Sequence, residues 1–152
     1  MSNTGAPSAI SAARFVVSFD HTAPAYFSEL SGITTEVEPA EYIAADARTG
    51  AIVHTKQFGK TKPPTVTLKR GVDGSGAIFA WHVMCREGLG AARMSGTLQL
   101  QNAEGAVQAT YTMFGAWPSK IEVGNLKAGA SEIVLETVTF TCERVEMIPL
   151  VS

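Results

Sequence analysis

The sequence predicts a mainly-β domain: two packed antiparallel sheets, a split or partly open β-barrel, with one flanking α-helix. Three observations carry this. Apolar and polar residues alternate with period 2 through most of the patterned segments. Those segments are dense in Thr, Val and Ile, whose branched side chains suit a half-buried pleated surface. Only one segment carries the 3.6-residue apolar stripe of a helix. The 152 residues fit one domain, 1–152, since domains commonly hold about 100–150 residues and one of this size buries a core without staples.

Taken in order, residues 1–13 are small and polar and read as a flexible N-terminal arm. From Arg14 to Asp20, Phe15, Val17 and Phe19 share one face against Ser18 and Asp20, a strand with one buried side. A turn at Thr22–Pro24 leads into Tyr26–Gly32 and then Ile33–Glu38, where Ile33, Thr35 and Val37 oppose Thr34, Glu36 and Glu38. Residues 39–63 break the rhythm with Pro39, Gly50, Gly59 and Pro63, and read as a long extended loop. Loops of that length inside a compact domain are usually functional or disordered.

Strand character resumes at Thr65–Arg70. A Gly-rich loop, 71–76, precedes the one helix, Ala77–Glu87, with Ser75 as N-cap, Ile78, Trp81 and Cys85 on its apolar stripe, and Gly88 and Gly90 as stops. Arg93–Gln101 and Ala106–Met113, joined by Asn102–Gly105, form a β-hairpin. In the run 132–142 the apolar phase moves from Ile133 and Leu135 to Val138, Phe140 and Cys142. That switch predicts a bulge or a strand crossing between sheets. The total is about eight strands and one helix.

Composition narrows the function. Charged residues make up only 17% of the chain, against about 25% in ordinary soluble domains. With 12 Lys and Arg against 14 Asp and Glu and no basic run, phosphate-driven nucleic-acid binding is disfavoured. The 45% apolar content argues against disorder. The residues before Arg14 lack the basic and apolar regions of a secretory leader, so synthesis in the cytoplasm is expected. No stretch approaches the ~18 apolar residues of a membrane span. The two cysteines, Cys85 and Cys142, read as buried free thiols.

Catalytic readings fail one by one. Gly59-Lys60-Thr61 ends like a phosphate-binding loop, but His54 stands where its first glycine belongs. The 71–76 loop lacks the alternating acids of a calcium loop. His82 and Cys85 lie one helical turn apart, yet His21, His54 and Cys142 show no spacing that would complete a zinc site. Cys85 has no base partner that would make it a nucleophile. Glu36 and Glu38 suit a solvated strand face. No catalytic, metal or cofactor site is nominated, and the chain is not read as an enzyme. Trp81, Trp117, Tyr26, Tyr42 and Tyr111 could line a ligand groove, although packing is the commoner use of such residues.

Several segments together resemble the tail tube proteins of contractile phages and phage-derived contractile injection systems. These are Phe15–Phe19, Ala25–Gly32 with its Phe27-Ser28-Glu29 and Ser31-Gly32 pieces, Thr65–Gly71 with Trp81 ten residues on, Trp117–Lys120, and the strand 132–143. A departure is Ala116-Trp117 before Pro118, where relatives often place a polar residue. The resemblance implies two packed sheets with one helix, and homohexameric rings stacked into a hollow tube inside a contractile sheath. It also implies sheath and baseplate partners, DNA or protein effector cargo in the lumen, residence in the assembled particle, and kinship with the tube of type VI secretion. A baseplate tube initiator is the alternative, and a soluble ligand-binding β-barrel is third.

Two sets of residues follow for such a role. Axial stacking needs a segment that reaches the next ring, and residues 40–62 are the candidate, through Tyr42, Asp46, Arg48, Lys56, Phe58, Lys60 and Lys62. The N-terminal arm and the 147–152 tail would assist. A lumen wall that does not grip cargo should be small and polar, as Thr65, Thr67, Thr137, Thr139 and Thr141 are, with Lys69 and Glu143 adding opposite charges. The shortage of charge fits as well, because interface cores are depleted in charged residues.

Overall fold

The computed structural model describes residues 10–45, 52–72, 76–88, 92–124 and 134–149, and only the backbone of 41–45 and 52–57. Eight strands and one helix occur among them, in the order β1 (Arg14–Phe19), β2 (Ala25–Phe27), β3 (Glu29–Ala45), β4 (Ile52–Gly71), α1 (Ala77–Arg86), β5 (Met94–Gln101), β6 (Val107–Val123), β7 (Leu135–Thr141) and β8 (Arg144–Ile148). The fold is mainly β with one helix, as the alternation predicts. All pairings are antiparallel.

The strands make one open hydrogen-bonded path, β2-β1-β5-β6-β7-β4-β3, with β8 added to β6. The path bends at β6. Its first part pairs with β5 on one side and β8 on the other, and its last seven residues, Trp117–Val123, pair with β7. The bend falls at Gly115, whose φ of 56° is open to glycine alone at little cost. The two ends of the path, β2 and β3, are consecutive in the chain, and Ser28 between them donates its N–H to the Lys69 carbonyl at 2.9 Å. The result is a split barrel.

The core lies between the two halves. Val17, Phe19 and Leu98 come from one half, and Val66, Leu68, Val138 and Phe140 from the other. Helix α1 closes it with Ile78 and Trp81. Phe19 meets Trp81 edge-on with centroids 4.6 Å apart and Phe140 at 5.2 Å, separations at which aromatic pairs gain about 0.5–1.5 kcal/mol beyond their burial. Trp81 Nε1–H donates to the Ala92 carbonyl, so the indole carries no unpaired donor into the core.

Three expectations are corrected. Residues 39–45 and 52–63 are not irregular loop but the outer parts of β3 and β4, which pair from Glu29↔Lys69 to Ala45↔Ile52 with three register shifts on the way. The helix is not capped by Ser75, which lies outside the described residues; its N-cap is Gly76, with φ 63° and no side-chain hydrogen bond. The phase switch assigned to 132–142 is absent from β7, which pairs with β4 without a shift. Its core face is continuous from Glu136 through Val138 and Phe140, and Leu135 is exposed. The crossing between halves belongs to β6, with a register shift between Pro118 and Lys120. The hairpin at 93–113 is present, its turn held by Asn102 Oδ1, which accepts the N–H groups of Glu104 and Ala106, and its second strand runs on to Val123.

Candidate functional site

Two surfaces stand out: a hydroxyl-rich sheet face and a long two-stranded arm. The face lies on β4, β7 and the end of β6, opposite the core. Because successive side chains alternate sides, burying Val66, Leu68, Val138 and Phe140 turns the intervening residues outward. Thr65 pairs with Thr141, Thr67 with Thr139 and Lys69 with Thr137, so six of the seven expected lumen residues form three adjacent cross-strand pairs. Thr67 and Thr139 hydroxyl oxygens are 3.3 Å apart and hydrogen-bonded.

Glu143 is not part of this ladder. It lies beyond the end of β7, and its Oε1 accepts from Arg93 Nη1 at 2.6 Å. The Arg93 guanidinium also covers Trp117, 4.7 Å from the ring centroid. Sequence reading missed what β6 adds instead. Ser119 Oγ is 2.6 Å from Thr141 Oγ1, and Lys120 and Glu122 pair in register with Thr139 and Thr137. Lys120 Nζ lies 2.8 Å from Glu122. That hydrogen bond and the charges of Lys120 and, more weakly, Lys69 hold the Glu122 carboxyl below its usual range. The available signal was the alternation Lys120, Ile121, Glu122, Val123. The charges on this face are of both signs, Lys69 and Lys120 against Glu122.

The arm is the outer hairpin of β3 and β4. Its base is fixed by Lys62, which lies 3.5 Å from Glu36 and 3.2 Å from Glu38. The hydrogen bond to Glu38, then the charge of Glu36, raise the Lys62 pKa above the ordinary value. Farther out, Phe58 pairs with Pro39 in register and is 96% exposed, and Lys60 is exposed beside it. Tyr42 and Lys56 lie on the arm's paired backbone, opposite Thr55 and Glu41. Asp46 and Arg48 lie outside the described residues. So does the N-terminal arm up to residue 9; its last residue, Ala13, donates its N–H to the Gln101 carbonyl at 2.8 Å.

Of the residues weighed for catalysis, Glu36 and Glu38 are the partners of Lys62 and His21 is exposed. His82 Nδ1 donates to the Pro118 carbonyl at 2.7 Å, tying α1 to β6. Cys85 and Cys142 are free thiols. Burial raises the pKa of Cys85, and that of Cys142 to about 11. Among the described residues no cluster of three or more His, Cys, Asp or Glu side chains could hold a metal ion, and no helix is long and apolar enough to cross a membrane.

Comparison with known proteins places this geometry. The chain resembles a chain of the sheath-tube complex of the extracellular contractile injection system PVC, at 23% identity and TM-score 0.71, covering 93% of each chain. It resembles a chain of the anti-feeding prophage tube-terminating cap at 22% identity and TM-score 0.73, covering 98% of this chain and 97% of that one. Hcp1 from Flavobacterium johnsoniae shares the fold more distantly, at 13% identity and TM-score 0.50, covering 88% of this chain and 93% of that one. No curated protein sequence matches. Residues 11–146 match the family model described as T4-like virus tail tube protein gp19. That span takes in β1 to β7, the helix and the start of β8, and the chain therefore belongs to the T4-like tail tube protein family.

Proposed function

We propose that the protein is the repeating subunit of the inner tube of a contractile tail or injection system, a structural rather than catalytic role. In this reading subunits join edge to edge into hexameric rings, and the rings stack into a hollow tube within a sheath. The single observation that carries it is the family match over 11–146. The geometry supports it physically. Strands β8 and β3 are edges, each hydrogen-bonded to a strand on one side only, and free edges invite pairing with another chain. A ring removes them by closing a larger barrel.

The hydroxyl face is our choice for the lumen wall. Thr65, Thr67, Thr137, Thr139 and Thr141, with Ser119, offer a small polar surface with charges of both signs beside it, suited to passing DNA or a protein effector without gripping it. The β3–β4 arm is our choice for the axial contact, through Tyr42, Asp46, Arg48, Lys56, Phe58, Lys60 and Lys62. It is long, and its described residues Phe58 and Lys60 are exposed, as befits a segment that packs on another copy. Sheath and baseplate proteins are the expected outer and terminal partners.

The test is electron microscopy of the purified chain and of a variant with residues 44–60 shortened to a tight turn. The full chain should give tubes and the variant isolated subunits or rings. Long tubes from the shortened chain would overturn the stacking role of the arm.

A further inference from the structure

A second feature of the surface has the shape of a receptor. A pocket of about 190 Å³ opens between the β1–β2 turn and helix α1. Its walls are Phe19, Ala23, Pro24, Tyr26, Ile78 and Trp81, and Arg70 forms part of its floor. It is mostly apolar and large enough for one aromatic ring, since an apolar cavity of ~150 Å³ accepts benzene. At its lip, Tyr26 is 60% exposed.

The same chain carries a matching knob. Phe58 is 96% exposed, the most exposed of the large apolar side chains described. Such exposure leaves a large apolar area in water, whereas burying an aromatic ring in a partner's pocket is worth several times a surface ion pair. Knob and hole cannot meet within one chain. Phe58 and Arg70 both lie on β4, twelve residues apart, which at ~3.3 Å per residue is about 40 Å of extended strand. The contact must therefore join two copies.

We propose that Phe58 of one copy inserts into the Phe19–Trp81 pocket of a second copy in the adjacent ring; this rests on the arm being the axial contact. Charge agrees with shape. Lys60 is exposed two residues from the knob, and Asp20 is exposed at the turn that forms the pocket's lip. Because knob and hole lie on different surfaces, the contact is heterologous and repeats without closing along the stack. The knob-to-hole span also limits the axial repeat to about 40 Å, the length of β4 between them.

The experiment compares tube yield, by sedimentation and microscopy, for the full chain carrying Phe58→Asp, Phe58→Leu and Ala23→Trp. Phe58→Asp removes the knob and Ala23→Trp fills the hole, so each should cut tube yield at least tenfold while thermal melting shows a folded subunit. Phe58→Leu should retain tubes. In a Cys85→Ser background, Phe58→Cys with Ala23→Cys should give a ladder of covalent oligomers under mild oxidation, and either cysteine alone should not. Normal tubes from Ala23→Trp, or tubes of the double-cysteine chain without a ladder, would overturn the pocket assignment. If the chain shortened over 44–60 still fails to make tubes in that case, the arm remains the axial contact and only its receptor is wrong. Normal tubes from both Phe58→Asp and the shortened chain would overturn the pocket and the axial role of the arm together.

Discussion

Arg70 and Glu136 face each other across β4 and β7, with Arg70 Nε 3.0 Å from Glu136 Oε2, on the side of the sheet otherwise occupied by Val66, Leu68, Val138 and Phe140. Both side chains are more than nine-tenths buried, and the guanidinium lies 5.1 Å from the Phe27 ring centroid. The pair joins β4 to β7, and through Phe27 the guanidinium also touches β2.

Breaking that pair from one side should be costly. Arg70→Met takes the counter-charge from the buried Glu136 carboxylate and should destabilise the subunit by about 3–5 kcal/mol. Replacing both with leucine should recover most of the loss, because the desolvation cost of both ions disappears. Urea unfolding of the single and double variants measures this. Additive losses in the double variant would show that the two residues do not act as a pair.

Gly115 should resist substitution. Its φ of 56° is strained for any L side chain, and a Cβ there would lie 2.6 Å from the Glu143 carboxyl carbon. Gly115→Ala should therefore cost at least ~1 kcal/mol from the backbone alone, and more if the Arg93–Glu143 pair is displaced. Gly115→Ala combined with Glu143→Ala should regain the steric part and keep the backbone part.

Cys142 gives a pH signature. Its pKa is pushed up to about 11 by burial, above the ~8.5 of a free thiol. Between those values the unfolded chain releases the proton and the folded one keeps it, so stability falls as pH rises through this window. The slope is at most about 1.4 kcal/mol per pH unit. Below pH 8 this contribution is flat. Denaturation at pH 8, 9 and 10 should show the decline, Cys142→Ala should reduce it, and thiol reagents should modify Cys142 only on unfolding.

The lumen assignment is checked by accessibility. Thr67→Cys and Thr139→Cys, placed in assembled tubes, should react with a small maleimide that can diffuse along the bore and be protected from a bulky one. Equal reaction with both reagents would place the hydroxyl face outside.

The threonine ladder was legible in the sequence because alternation is a direct record of a sheet with one buried side. Glu136 hid part of the pattern: a charged residue on the core side reads as a phase break until Arg70 is seen opposite it. The arm was hidden for another reason. Pro39, Gly59 and Pro63 read as breakers. Proline is tolerated on an edge strand or at a bulge, and Pro39 sits at a register shift opposite Phe58. Gly59 lies opposite the same shift, where a Cβ would come within 2.5 Å of the Glu38 carbonyl oxygen. The pocket was not legible at all, since its walls come from β1, the β1–β2 turn, β4 and α1 and meet only in the folded chain.

The passage of β6 from one half of the barrel to the other has a mechanical consequence. Met113 and Ala116 belong to the ladder with β5, and Trp117 begins the ladder with β7. Tension that separates the halves is therefore carried through the covalent backbone of β6 as well as across side-chain contacts. A second backbone link runs in parallel, because β7 continues through Cys142 and Glu143 into β8 on the opposite half. With two load-bearing strands crossing at the same place, the subunit is braced against being peeled open, and the weak points of a stack are left at the joints between subunits.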